Sequence, residues 1–258
     1  VLNCLICDLS FVPETSYPKN IENIYSEVKD LTYLENKNSR KKTFQKSLVQ
    51  MSPYLPNKGT LIEVGTYCGF FLELFQKYYP HWDLLGVEPS KWASEYARNQ
   101  LGIKTKTGTL EDHFKELKPD YDAVVSWDVL EHLRDPLEFL AQVNSIMKPN
   151  GVFCFSTLDF DNWFPKLMGK HWPWLMEMHL FYFSSNTTEQ FLNRAGFKVI
   201  KAENYVHYIS VPYLLEKFNA ILPNWLGTPI YKIRKILPKK LLVPFSFGDI
   251  KIYICEKK

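Results

Sequence analysis

Several things are scarce in this 258-residue chain, and each scarcity excludes something. No run of about 18 apolar residues occurs, so no helix is expected to span a membrane. The formal net charge is only +3, too small to imply a nucleic-acid partner, and none is expected. The start of the chain has neither the n-region nor the h-region of a secretory signal, and the expectation is a cytoplasmic protein. Five cysteines, an odd number and mostly scattered, do not form a disulfide framework. What is abundant is core material. With 46% hydrophobic and 16% aromatic residues, the chain can bury one large core, so one main α/β domain with appendages is expected.

One stretch organises the rest, running from Leu61 to Phe75. An apolar run ends in Glu63-Val64, passes through a loop holding Gly65 and Gly69, and resumes at Phe70 as an apolar pattern of helical period. That is strand, tight turn and helix, with glycines where the backbone bends sharply or a ligand approaches closely. A second run, Leu84 to Val87, ends in Glu88, twenty-five residues after Glu63. In a doubly wound sheet, an acid at that strand end can accept hydrogen bonds from both hydroxyls of a ribose. The pair reads as a nucleoside site.

The remaining units follow in the same rhythm. Ser90 is placed to cap a helix carrying Trp92, Ala93, Tyr96, Ala97 and Leu101. Ile103 to Lys106 is a short strand leading into the turn Gly108 to Asp112. Ala123 to Trp127 is a strand of nearly continuous apolarity, as burial on both faces requires. Pro136 to Met147 is a helix, and Pro149-Asn150-Gly151 turns the chain into a strand over Val152 to Ser156. Strands alternating with helices imply βαβ units and a mostly parallel sheet.

Five segments in register resemble the class I S-adenosylmethionine-dependent methyltransferases. They are Glu63-x-Gly65-x-x-x-Gly69, the acid Glu88, Gly108-Thr109-Leu110-Glu111-Asp112, Asp122 to His132, and Lys148-Pro149-Asn150-Gly151-Val152. The pattern is most similar to the branch with the ubiquinone-biosynthesis O-methyltransferases and enzymes acting on sugars and secondary metabolites. It covers about residues 59–200, including Phe181-Tyr182-Phe183-Ser184 and Ala195-Gly196-Phe197. The resemblance implies a doubly wound, seven-stranded, mostly parallel Rossmann-like sheet with helical insertions. It also implies S-adenosylmethionine as cofactor and a small-molecule or sugar acceptor. By that likeness Gly65, Thr66 and Gly69 would lie against the methionine part of the cofactor and Glu63 would support its ammonium. Glu88 would hold the ribose, and Leu110 would flank adenine with Asp112 or Glu111 near the amino group. Trp127 and Asp128 would face the sulfonium. One departure is Tyr67, where the family usually has a second glycine; tyrosine does not take positive φ cheaply, so a different loop path is expected.

Methyl transfer needs an aligned acceptor and, for a hydroxyl, removal of its proton. His132, just beyond the fourth strand, is the candidate general base; the competing role is capping the next helix. Asp128, Glu131 and His132 stand at i, i+3 and i+4, so one turn could aim all three at one point. Two carboxylates and an imidazole suit a divalent cation. The spacing also resembles a metal motif of the ubiquinone enzymes and of small-RNA 2′-O-methyltransferases, in which a later histidine completes the set, here His179. An unmetallated His132–His179 pair explains the same residues. A nicotinamide-dependent oxidoreductase shares the crevice but requires G-x-G-x-x-G, and no third glycine follows Gly65 and Gly69. A cofactor-binding but inactive partner has the same residues.

The appendages each admit two readings. Residues 1–38 form an N-terminal extension in which Cys4 and Cys7 are either half of a zinc site, its other pair upstream of Val1, or two ordinary cysteines. The core is expected over 39–205, beginning with a basic helix from Ser39 to Met51 that covers the sheet edge. The aromatic insertion 158–183, with Phe160, Trp163, Phe164, His171, Trp172, Trp174 and Met176, is either lid and acceptor pocket or a satellite cluster. Residues 206–248 are expected as a helical basic cap before a final strand at 249–258. Within the cap, residues 229–242 carry five cations and no acid, and either dock on the domain or make peripheral contact with an anionic membrane.

Overall fold

Apolar runs flanked by glycine and proline become strands in the computed structural model, which describes residues 1–18, 25–27, 29–212, 214–215 and 241–258. Seven strands form the main sheet: β1 Thr60–Val64, β2 Asp83–Glu88, β3 Thr105–Thr107, β4 Tyr121–Trp127, β5 Met147–Leu158, β6 Phe197–Asn204 and β7 Ile250–Lys257. Their order is β3-β2-β1-β4-β5-β7-β6, with β7 antiparallel to both neighbours and the first five parallel. The order reverses between β1 and β4, so the loops leaving their carboxyl ends diverge and leave a crevice. Val64 lies opposite both Val87 and Ser126, which sets Glu88, Trp127 and the glycine loop along one rim.

Among the described residues five helices cover the sheet: α1 Lys37–Met51, α2 Phe70–Tyr78, α3 Lys91–Leu101, α4 Pro136–Ile146 and α5 Ser185–Arg194. Their starts follow the capping rules. The Ser90 hydroxyl accepts from the Ala93 amide at 3.2 Å, and the Asp135 carboxylate takes the Leu137 and Glu138 amides. Asp135 therefore does the capping that was the alternative role for His132. Two apolar layers result. One joins Phe44, Leu48 and Met51 of α1 to Phe70, Phe71 and Phe75 of α2, and the other joins Leu140 and Val143 of α4 to Phe153 and Tyr253.

Two features depart from expectation. The Pro149-Asn150-Gly151 turn lies inside β5, because pairing with β4 starts at Tyr121 opposite Met147, then slips and resumes with Ala123 opposite Val152. Helix α1 does not merely cover the sheet edge. Ser39 donates to the Tyr208 carbonyl at 2.6 Å and Thr43 accepts the Tyr208 amide at 2.8 Å, so its small polar residues are buried against the hairpin His207–Ser210/Leu242–Phe245. Those two strands lie near the two ends of the stretch 206–248. Residues 229–240 lie outside the described residues, and with them nearly all of the basic stretch 229–242. Among the described residues no helix is long and apolar enough to cross a membrane.

Candidate active site

A cavity of about 180 Å³ sits at the carboxyl ends of β1 and β4, bordered by Glu63, Thr66, Tyr67, Trp127, Asp128 and Tyr205 and roofed by Tyr33, Arg40, Thr43 and Phe44. Gly65 belongs to the same wall and has φ +77°; a Cβ there would come within 2.6 Å of the Val129 side chain. The glycine is thus demanded by backbone and packing together. Glu63 is only 1% exposed, and its carboxylate accepts from the Thr66 hydroxyl at 2.5 Å. Burial pushes its pKa well up, the Thr66 bond works the other way, and the Glu88 charge adds to the rise.

Tyr67 adopts positive φ after all, at +45°. The loop keeps the left-handed turn that a glycine would make, at a cost of roughly 1–3 kcal/mol, and the surroundings hold it there. Its hydroxyl accepts the Asp30 amide at 2.9 Å, its ring meets Tyr33 edge-on at 4.7 Å, and its amide donates to Glu88 Oε2 at 2.8 Å. Glu88 Oε1 accepts from the Ser90 amide at 2.8 Å. Burial raises the Glu88 pKa to about 7 against these two bonds. Each oxygen retains a lone pair for a further donor.

Asp128 is likewise left-handed, φ +54°, a region aspartate tolerates better than most residues. Its carboxylate accepts from the Ser156 hydroxyl at 2.6 Å, and its amide donates back to that oxygen at 3.0 Å. Trp127 packs against Phe71 and Phe44 and stacks on Tyr205 at 12° between planes. Leu110 is buried in the second apolar layer, and Asp112 is engaged by the Thr109 amide at 2.7 Å, closing a capping box. Gly69 also has positive φ and starts α2.

Beyond Asp128, one turn of 3₁₀ helix, Leu130–His132, turns Glu131 inward and places His132 against the segment preceding Phe181–Tyr182. The Leu180 amide donates to the Glu131 carbonyl at 2.8 Å, tying the two segments together. His132 and His179 meet with ring centroids 4.5 Å apart. His132 Nδ1 lies 2.9 Å from the Met178 carbonyl, and His179 Nδ1 lies 2.7 Å from the Trp174 carbonyl. A carbonyl only accepts, so each Nδ1 carries the hydrogen and each ring keeps its Nε2 lone pair. One donor atom each from Glu131, His132 and His179 falls within 4.8 Å of the others. Asp128 stands apart from that group, held by Ser156.

Burial sets the electrostatics of this corner. Glu131, 1% exposed, accepts from the Thr157 hydroxyl at 2.9 Å; burial first and the Asp128 charge second push its pKa up to about 8. His179 is pushed down to about 4 by burial and by His132, and His132 falls chiefly by burial. Both rings are therefore neutral at physiological pH. Tyr25 closes the corner, its hydroxyl donating to the Met178 carbonyl at 3.1 Å and lying 3.0 Å from His132 Nδ1.

With this geometry, the comparisons are specific. A family model described as a methyltransferase domain matches residues 36–202, more than half of the chain. The protein belongs to the methyltransferase family. The methyltransferase is 30% identical over 120 residues to an uncharacterized methyltransferase of Schizosaccharomyces pombe, covering 42% of this chain and 43% of that protein. It is 36% identical over 77 residues to a ubiquinone biosynthesis O-methyltransferase of Vibrio campbellii, 29% and 32% of the two chains. The matched stretches thus span less than half the length of these relatives. A Haloferax volcanii methyltransferase, solved in complex with the Trm112 activator, superimposes with a TM-score of 0.64 at 15% identity over 93% of this chain and 98% of the other. The seven-stranded Rossmann-like architecture is the one expected, and membership of the family implies S-adenosylmethionine as cofactor.

Sequence reasoning missed Tyr33, Arg40, Thr43, Phe44 and Tyr205 in the cavity wall and Tyr25 at the corner. Arg40 stands beside Lys41 and Lys42, and nothing in the pattern separates it from them. The aromatic insertion divides: Trp172 is 2% exposed and donates to Asp249 at 2.9 Å, packing with Phe160 and Tyr182, whereas Trp163 is 58% exposed. None of these residues borders the cavity. The insertion bears on the site through the Trp174 and Met178 carbonyls instead.

Proposed function

We propose that this methyltransferase acts on a hydroxyl of a small molecule or sugar, and that Glu131, His132 and His179 activate that hydroxyl with a bound divalent cation. The observation that carries the reading is the pairing of two neutral imidazoles, each with Nδ1–H spent on a backbone carbonyl, beside a buried carboxyl. Histidines that ligate a metal use this arrangement, the outer hydrogen bond fixing tautomer and ring direction. Two nitrogens and one carboxylate oxygen suit zinc, manganese or iron, and a cation would compensate a buried acid that otherwise holds its proton. When bound, the cation would lower the pKa of the acceptor hydroxyl. Without one, either Nε2 would serve as general base.

S-adenosylmethionine brings a methyl group already activated on sulfur, so the protein's task is placement. The cavity is below the roughly 300–1,000 Å³ of ordinary ligand sites and fits only the methionine half. Arg40 is placed for its carboxylate, and Glu63 and Asp128 for its ammonium. The faces of Tyr33, Phe44, Trp127 and Tyr205 suit the sulfonium cation. Gly65, Thr66 and Gly69 give the backbone approach, Glu88 takes the ribose and Leu110 backs the adenine. Helix α1 shuts water out from above.

The test is incubation with S-adenosylmethionine and a small-molecule extract, following S-adenosylhomocysteine release and any product heavier by one methylene. A product methylated on oxygen supports the reading. Methylation on nitrogen or carbon, or no acceptor-dependent release, overturns it.

A further inference from the structure

The sulfurs of Cys4 and Cys7 lie outside the methyl-transfer site, at the tip of a hairpin. Leu2–Asn3 pairs antiparallel with Ser10–Phe11, and the six residues between form the turn. The Cys4 amide donates to the Leu9 carbonyl at 2.9 Å, and the Asp8 amide donates to the Cys4 carbonyl at 2.9 Å. Asp8 follows the second cysteine with φ +61°, and its carboxylate accepts the Asn3 side-chain amide at 2.8 Å.

This turn carries both thiols, and the thiolate is the form that ligates metals. Both cysteines are free and partly exposed, while Cys68, Cys154 and Cys255 are buried. Between the two thiols, Leu5 and Ile6 are 101% and 96% exposed. A redox C-x-x-C places its reactive thiol at a helix N-terminus, and this pair sits on a hairpin. Two-residue strands are also too short to persist unaided, and the sheet gains only one more strand, Phe181–Tyr182.

We infer that Cys4 and Cys7 form one half of a tetrahedral zinc-thiolate site, completed by the same pair of a second copy of this chain. Zinc with thiolates takes four ligands at a closed structural site, and the turn offers two. The other three cysteines of the sequence are buried away from the turn, which leaves the partner's Cys4 and the partner's Cys7 to supply the second pair. The site also reaches the chemistry. The Val12 amide donates to the Leu180 carbonyl at 2.8 Å, and Leu180 in turn holds Glu131, so a metal clamping this hairpin steadies the strand that follows His179.

Cobalt substitution tests the site, because Co²⁺ bound to thiolate shows a charge-transfer band in the near ultraviolet. The whole chain titrated with Co²⁺ should develop that band, Zn²⁺ should displace it, and Cys4→Ser with Cys7→Ser should abolish it. Saturation is expected at one ion per two chains with a dimeric mass; saturation at one per chain with a monomeric mass would overturn the assignment. A second measurement needs no variant: bound Zn²⁺ should protect Cys4 and Cys7, located by peptide mass, from iodoacetamide. No band, a band that survives in the double serine variant, or equal alkylation with and without Zn²⁺ would overturn the assignment.

Discussion

His132 and His179 face each other across 4.5 Å, each ring fixed by a carbonyl of the segment 174–178. Removing either imidazole should therefore affect the transfer step and leave cofactor binding alone. His132→Ala and His179→Ala are expected to lower kcat by roughly 10²–10⁴-fold, the range for a lost acid–base group. The Kd for S-adenosylmethionine, from calorimetry, should stay within a few-fold of wild type. A loss of cofactor affinity matching the loss of kcat would place the histidines in the cofactor site instead.

Glu88 predicts a pH dependence. Its folded pKa is about 7 against an ordinary 4.5, so the folded state holds the proton more tightly than the unfolded chain. The resulting stability is fully present below pH 4.5 and is lost as pH rises through about 7, on the order of 3 kcal/mol in all. Glu88→Gln cannot lose it. The difference in Tm between wild type and this variant should shift across that window in the variant's favour as pH rises; a difference independent of pH would contradict the buried-acid assignment.

Gly65 combines a positive φ with a tight contact to Val129, and substitution separates the two. Gly65→Ala should destabilise the protein by about 1–3 kcal/mol. Adding Val129→Ala should relieve the contact and recover part of the loss, with the backbone share remaining. Full recovery in urea unfolding would show that φ costs nothing there.

Trp172 donates its indole N–H to buried Asp249. Trp172→Phe keeps most of the ring and orphans the carboxylate oxygen, so unfolding in urea should show a loss of about 1–3 kcal/mol. Trp172→Phe with Asp249→Asn should be less than additive, because the two share one bond.

Strands and crevice were legible because buried parallel strands leave nearly continuous apolar runs and the rim residues follow each run directly. The corner was legible for a similar reason: Asp128, Glu131 and His132 are close in sequence, and His179 completes a spacing. Across the chain the signal fades. Phe44, Leu48 and Met51 announce that one face of α1 is buried, but not that Thr43, Phe44 and Arg40 roof a cavity. Tyr205 and Tyr25 reach the site from remote segments with no motif. Tyr67 misled for a physical reason: its positive φ is disfavoured locally, and the Asp30 amide, Tyr33 and Glu88 that hold it there come from elsewhere. Asp128 has the right spacing for the corner but a hydroxyl partner, Ser156, that sequence spacing does not reveal.

The most direct measurement is S-adenosylhomocysteine release, with an accepted hydroxyl substrate, before and after exhaustive chelation and then with Mg²⁺, Mn²⁺ or Zn²⁺ restored. It should be run on wild type and on the chain carrying Cys4→Ser and Cys7→Ser, so that the hairpin cannot supply the effect. The account predicts loss on chelation and recovery on restoration in both proteins. Full activity after chelation would contradict it.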